Sequence, residues 1–258
     1  MWPMDGKNIL ILGGTGDAIS IAEQLSLIEN YKIITSLAGV TQKPRLPIGK
    51  AHIGGFGGRE GLIHFLEANK INLIVDATHP FSTQIKENAI FASNELSVPI
   101  IHFVRDQWTM EIGDKWHMVD NLPEASDKLR ELSSTRKLKV FLTVGRKGLA
   151  DFADILNSKF VIRSIEKPSA LEGFSCAEWI EGRGPFSFDN ELKLLQQEQI
   201  DIIVTKNSGG LSGKAKLLAA RTLGLPVIVV RQPPRPLGAK CNTIEGIVEL
   251  SLKRVGEA

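Results

Sequence analysis

Four short stretches of this chain combine glycine, small hydroxyl side chains and groups able to carry a proton or hold an anion. Each directly follows a β-branched apolar run. Ile9-Leu10-Ile11-Leu12 precedes Gly13-Gly14-Thr15-Gly16-Asp17, and Leu73-Ile74-Val75-Asp76 precedes Ala77-Thr78-His79-Pro80-Phe81. Val140-Phe141-Leu142 precedes Thr143-Val144-Gly145-Arg146-Lys147, and Ile202-Ile203-Val204 precedes Thr205-Lys206-Asn207-Ser208-Gly209-Gly210. Core packing does not call for Thr-His-Pro or Lys-Asn-Ser at a strand end. In open α/β sheets, ligands bind beyond the carboxyl ends of the strands. These loops therefore read as the lining of a ligand crevice.

The loop Gly13, Gly14, Thr15, Gly16 and Asp17 lets backbone approach a phosphate closely, and the helix start behind it favours an anion. The dinucleotide fingerprint is incomplete, because Ile19 stands where its third glycine belongs. A purely structural strand–helix turn is the competing reading. The second apolar run ends Thr35-Ser36-Leu37-Ala38-Gly39, with no Asp or Glu to bind an unphosphorylated ribose. Ser36 and Thr41, with Lys43 or Arg45 near, suit a 2′-phosphate and favour NADPH, with NADH as the alternative. An ordinary loop is the bland reading there.

Pro80 suits the first turn of a helix and holds His79 extended, which aims the imidazole into the loop. There it can donate a proton or bind a carboxylate. The alternative is that His79 or Thr78 caps the helix. Lys206, Asn207, Ser208, Gly209 and Gly210 have the makings of an anion nest, and a structural ion pair is the alternative for Lys206. Arg146 and Lys147 form a second cationic loop. Arg183, in Gly182-Arg183-Gly184-Pro185-Phe186, is read either as a third or as turn chemistry. The formal charge is only +2, yet Arg45, Arg146, Lys147, Arg183 and Lys206 all fall in loops. That concentration points to an anionic small molecule.

The elements that must position these loops alternate. Strands are expected at 8–13, 31–37, 71–76 and 99–103, with helices at 17–29, 60–69 and from Pro80 to about Leu96. Residues 105–120 break the rhythm. A second series follows: helix 122–132, strands 138–144 and 159–163, helix 188–198, strand 200–205, helix 213–223, strand 226–231 and helix 243–254. The fold class is therefore α/β, with two Rossmann-like parallel-sheet domains and an interdomain cleft. The boundaries are 1–110, binding the nucleotide, and 111–258, completing the substrate cleft. At 258 residues, 43% hydrophobic and 23% charged, the chain matches an ordinary globular protein. The small charge gives no support for nucleic-acid binding. No apolar run nears the roughly 20 residues of a membrane span. No signal-peptide core is visible, and the two cysteines lack metal-ligand spacing, so a cytoplasmic location is expected.

In this order the loops resemble the precorrin-6A reductase family. The carriers are Ile11-Leu12-Gly13-Gly14-Thr15, Ser36-Leu37-Ala38-Gly39, Gly54-Gly55-Phe56-Gly57-Gly58, Asp76-Ala77-Thr78-His79-Pro80-Phe81 and Val204-Thr205-Lys206-Asn207-Ser208-Gly209-Gly210. Leu142-Thr143-Val144-Gly145-Arg146, Arg183-Gly184-Pro185-Phe186, Ala219-Ala220-Arg221 and Leu223-Gly224-Leu225-Pro226-Val227 add to them. There are departures. Asp17 stands where Glu is common, Ile19 and Val40 where Arg is common, and Trp108 follows Asp106-Gln107 instead of a Pro-containing turn. The absence of Arg at Val40 leaves NADPH against NADH open.

The resemblance implies a cobalamin-pathway enzyme that reduces C18=C19 of precorrin-6A, or of its cobalt form, to precorrin-6B with NAD(P)H. It implies no metal or flavin, no nucleic-acid or membrane partner, and transient contact with other enzymes of the pathway. Gly13, Gly14, Thr15, Gly16 and Asp17, with Ser36, Ala38, Gly39, Thr41 and Thr78, are the expected cofactor contacts. The carboxylate-rich macrocycle is expected on Arg45, Gly55, Phe56, Arg146, Lys147 and Arg183, and on the loop Asn207, Ser208, Gly209 and Gly210. His79 is the first candidate for proton donor and Lys206 the second. A nucleotide-sugar transferase and a non-catalytic cytosolic nucleotide or small-molecule sensor, both of two-lobed α/β fold, are the rival readings.

Overall fold

The computed structural model describes residues 6–39 and 45–256. It divides into two compact units. One comprises the described residues up to Arg105 together with those from Pro233 on, and the other is Asp106–Gln232. The expected boundary near 110 thus falls at Arg105/Asp106. The tail from Pro233 belongs with the first unit and not, as expected, with the second.

The first unit alternates β1 (Lys7–Leu12), α1 (Gly16–Leu25), β2 (Tyr31–Leu37), β3 (Lys50–Ile53), α2 (Arg59–Ala68), β4 (Ile71–Asp76), α3 (Thr83–Leu96) and β5 (Ile100–Phe103). The second contains β6 (Lys115–Val119), α4 (Leu122–Ser133), β7 (Leu138–Thr143), β8 (Ser158–Ser164), β9 (Ala177–Glu181), α5 (Phe188–Gln197), β10 (Ile202–Lys206), α6 (Ala215–Leu223) and β11 (Pro226–Val230). β12 (Ala239–Cys241) and α7 (Ile244–Gly256) return to the first.

Each unit holds one six-stranded sheet, in the orders β12-β5-β4-β1-β2-β3 and β6-β11-β10-β7-β8-β9. Every pairing is parallel. The expected α/β class with two parallel sheets is what the chain adopts. A central parallel strand is covered on both faces and needs an unbroken apolar run. Strand β1 shows why. Ile9 and Ile11 enter a core with Ile21 and Leu25 of α1 and Ile247 of α7. Leu10 and Leu12, pointing the other way, meet Leu62 and Leu66 of α2 and Ala89 and Ala92 of α3. In the second unit, Phe141, Val161, Ile203, Val227 and Val229 share a core with Leu195 of α5 and Leu217 of α6.

Two helices depart from expectation. α1 stops at Leu25, four residues early, because Leu27 and Ile28 donate to Gln24 and Leu25 in tight i→i−3 turns. Ile28 still packs on the core. α3 begins at Thr83, three residues late, because Ser82 N–H closes a turn on the His79 carbonyl that contains Pro80 and Phe81.

Candidate active site at the carboxyl ends of the strands

All strands of a unit run parallel, so the loops after them share one edge of its sheet. The strand order reverses between β1 and β4 in the first unit and between β7 and β10 in the second. Such switch points open a crevice for ligands. The four chemistry-bearing loops flank these two points.

In the first unit, Gly13 N–H bonds the Ser36 carbonyl at 2.9 Å, which joins the loop after β1 to the end of β2. A Cβ on Gly13 would stand 2.9 Å from the Thr35 methyl, so that glycine permits strand packing. Gly14 differs. Its φ is +98°, a conformation that favours glycine, and a Cβ there or on Gly16 would meet nothing within 4 Å. Thr15 caps α1, its Oγ1 accepting from Ala18 N–H at 3.1 Å and donating to the Ala77 carbonyl at 2.7 Å. That second bond ties the loops after β1 and β4 together. Asp17 lies in the first turn of α1 and pairs with Arg105 Nε at 2.7 Å. Ser36 is buried, while Ala38 and Gly39 are exposed. Gly39 backs closely onto Gly54, whose Cα would lie 3.3 Å from a Cβ added there. Thr41, with Val40 and Lys43, lies outside the described residues.

The loop after β4 is braced from beneath by a cluster absent from the expected site. Asp76 is wholly buried. Its Oδ2 accepts from Lys86 Nζ and lies by His102 Nδ1, both at 2.8 Å, while Oδ1 accepts from Thr78 N–H at 3.1 Å and Oγ1 at 2.6 Å. Lys86 also bonds Thr78 Oγ1 at 2.9 Å. Burial pushes the Asp76 pKa up, but the His102 bond, the Lys86 charge and the Lys86 and Thr78 bonds outweigh it and hold it at about 2. Thr78 is therefore engaged with Asp76 and Lys86. His79 stays half-buried, its Nδ1 accepting from Phe81 N–H at 3.3 Å. The cap alternative for Thr78 and His79 does not hold, since Ser82 occupies the N-cap of α3. Gly55 and Arg45 are exposed. The Phe56 ring stacks on His52 at 5.0 Å and meets Phe65 edge-on, which places it in an aromatic cluster against α2.

In the second unit, the ends of β10, β7, β8 and β9 follow one another across the sheet. Lys206 ends β10. Burial pushes its ammonium pKa down, and Asp151 opposes the shift. Gly145, at φ +78°, turns the chain into Arg146, which pairs with Glu166 at 3.2 Å. Lys147 and Arg183 are exposed. Gly209 and Gly210 sit at φ +65° and +67°, and Ser208 is half-buried. Asn207 is wholly buried. Its Oδ1 accepts from Trp108 N–H and its Nδ2 donates to the Trp108 carbonyl, both at 2.9 Å, so the amide holds a neighbouring segment.

The loops after β1 and β4, and those after β7 and β10, thus share the carboxyl edge of their own sheet, while the side chains of Phe56 and Asn207 serve packing. Reasoning from sequence overlooked Lys86, His102, Arg105, Glu166 and Trp108. A buried polar residue ending an apolar strand, as at Asp76, was a legible signal; its partners required the strand order. Among the described residues, no helix is long and apolar enough to cross a membrane, and no group of three or more His, Cys, Asp or Glu could hold a metal ion.

These features define an α/β protein with glycine-rich and polar loops at two topological switch points, one of them a glycine turn leading into a Thr15-capped helix. The family model described as "Precorrin-6x reductase CbiJ/CobK" matches residues 8–251, and the chain belongs to that family. It is 42% identical over 229 residues to the precorrin-6A reductase of Rhodococcus erythropolis, covering 88% of this chain and 90% of the relative. It is 39% identical to the precorrin-6A reductase of Mycobacterium tuberculosis, covering 89% and 91%. The cobalt-precorrin-6A reductase of Priestia megaterium shares 29%, over 93% and 96%. A solved structure titled "CobK precorrin-6A reductase" superposes with a TM-score of 0.89 at 34% identity, covering 96% of this chain and 97% of that one. The resemblance read from the loops is borne out, and the match favours a reductase over the transferase and sensor readings.

Proposed function

We propose that this chain reduces the C18=C19 bond of precorrin-6A to give precorrin-6B in cobalamin biosynthesis. The family match across both sheets, residues 8–251, carries this reading. Relatives named precorrin-6A reductase share 35–42% identity, against 28–29% for those named cobalt-precorrin-6A reductase, which supports the metal-free macrocycle as substrate.

A nicotinamide nucleotide supplies the hydride when bound. The residues fit such a group: the open space over Gly14 and Gly16 leaves room for a pyrophosphate at the N-terminus of α1. β2 ends in Ser36 and Leu37, and the sequence from there to Arg45 holds no Asp or Glu that would repel a 2′-phosphate, which supports NADPH. Thr15 ties the two loops together, and Thr78 fixes the second loop to Asp76 and Lys86. His79 holds the proton for the carbon next to the one that receives the hydride, with Lys206 as the second candidate. Arg146, Lys147 and Arg183 attract the substrate's carboxylates. The protein's task is to hold both reactants still in a reactive orientation.

The test is direct. Purified protein is incubated with metal-free or cobalt-loaded precorrin-6A and with NADPH or NADH, and the product mass is read. A gain of two mass units with metal-free substrate and NADPH is expected. No gain with any combination would overturn the reading.

A further inference from the structure

Trp108 lies in the segment between β5 and β6, which has no regular structure of its own there, yet its ring is almost fully buried. Its contacts converge on the loop after β10. Its backbone N–H and carbonyl take both ends of the Asn207 amide at 2.9 Å. Its indole Nε1–H donates to the Gly210 carbonyl at 2.6 Å. The ring lies against Gly213 so closely that a Cβ there would stand 2.8 Å from Cη2 and 2.9 Å from Cζ2. The Lys216 ammonium sits 5.4 Å from the ring centroid and donates to the Gly213 carbonyl. Two residues before Trp108, the Asp106 carbonyl accepts from Gly210 N–H at 3.2 Å.

The loop needs such a mould. Gly209 and Gly210 are consecutive glycines in the left-handed region, and glycine has more backbone freedom to lose than any other residue. Side chains that position a binding group must themselves be locked by packing and hydrogen bonds. Here Asn207 holds the Trp108 backbone, and Gly210, Gly213 and Lys216 meet its indole, so one residue braces the segment that Lys206 leads into.

We propose that Trp108 is the positioning residue for the Lys206–Gly210 loop: it sets Lys206 and Ser208 for the reaction without touching the reactants. This rests on the reading of that loop as part of the site.

The experiment is a double-mutant cycle of Trp108→Phe and Lys206→Ala, read by steady-state kinetics, with hydrogen exchange of residues 207–213 alongside. Trp108→Phe keeps an aromatic ring and loses the indole donor. It is expected to lower kcat/KM by about tenfold and to speed exchange in 207–213 while β10 and β11 stay protected. The double variant is expected to be no slower than Lys206→Ala, because the two residues act through one element. Asn207→Ala, which adds no charge, removes both bonds to the Trp108 backbone and should change exchange and kinetics in the same direction, which covers a poorly folding Trp108→Phe. Multiplicative losses in the double variant, or unchanged exchange, would overturn the role of Trp108 alone. Wild-type kinetics in Lys206→Ala would overturn the functional reading of the loop, and this role with it.

Discussion

Asp76 and His102 are register partners on adjacent parallel strands, and Asp76 Oδ2 lies 2.8 Å from His102 Nδ1 with both side chains wholly buried. An ionised carboxylate only accepts, so Nδ1 carries the hydrogen. Nε2 is then buried with no hydrogen-bond partner among the described residues. The same carboxylate oxygen also accepts from Lys86. One buried anion thus holds a strand, a helix and, through Oδ1, the backbone that leads into His79.

Removing that charge should be costly. Asp76→Asn leaves the Lys86 ammonium facing a neutral amide, and breaking a buried pair from one side typically costs about 3–5 kcal/mol. Urea melts at pH 7 should show a fall of that size. The acid profile follows from the sign of the shift. The folded pKa of about 2 is below the ordinary aspartate value of 3.8. The stabilisation is therefore fully present above about pH 4 and is lost as pH falls towards 2, on the order of 2 kcal/mol in all. An Asp76→Asn variant should lack this part of the wild-type acid dependence. If both proteins lose stability in parallel from pH 5 to 2, the cluster does not carry the effect.

Gly14 and Gly16 both leave open space above the first loop, but only Gly14 has a left-handed backbone. Gly14→Val should therefore strain the turn and fill the space assigned to the pyrophosphate. Nucleotide affinity should drop about tenfold or more, roughly 1.4 kcal/mol. Gly16→Ala tests occupancy with little strain, since Gly16 begins α1. Calorimetry with NADPH reads both, and unchanged affinity in a folded Gly14→Val would place the nucleotide elsewhere.

The chemistry-bearing loops were legible because central parallel strands are continuous apolar runs, and each loop follows one. The four strands that went unread, β3, β6, β9 and β12, are the four sheet edges. An edge strand has one neighbour and only partial cover, and these carry no buried residue among them. Without a buried face there is little hydrophobic pattern to read. The return of β12 beside β5 is a long-range pairing with no local signal, which explains the misplaced tail. Lys86 and His102 were unreadable as partners of Asp76 for the same reason, as was Trp108 as a partner of Asn207, 99 residues away.

Arg146 and Lys147 give a contrast within one loop. Arg146 is oriented by Glu166, whereas Lys147 is exposed. An oriented guanidinium can take a carboxylate with two parallel bonds. Arg146→Ala should raise KM for the macrocycle at least tenfold, matching a charge-assisted bond of roughly 1.5–3 kcal/mol, and leave nucleotide affinity unchanged. Lys147→Ala should have a smaller effect that fades with added salt. Equal and small effects from the two variants would reduce both to surface charge.

His79 is where the proton is assigned, and its surroundings narrow what a substitution can mean. It does not stand at the N-cap of α3, a position that Ser82 takes, but its ring accepts from Phe81 N–H. His79→Ala should therefore cost about 1 kcal/mol of stability through the turn, a modest fall in melting temperature. If the imidazole donates the proton, kcat should fall by roughly 10²–10⁴ with nucleotide binding intact. If it only binds a substrate carboxylate, KM should rise and kcat should hold. His79→Asn separates the turn from the proton: its side-chain oxygen can accept from Phe81 N–H, yet it supplies no acid. Restored stability with kcat still depressed is the outcome expected of a proton donor. Wild-type kcat in both variants would remove His79 from the chemistry and leave Lys206 as the candidate.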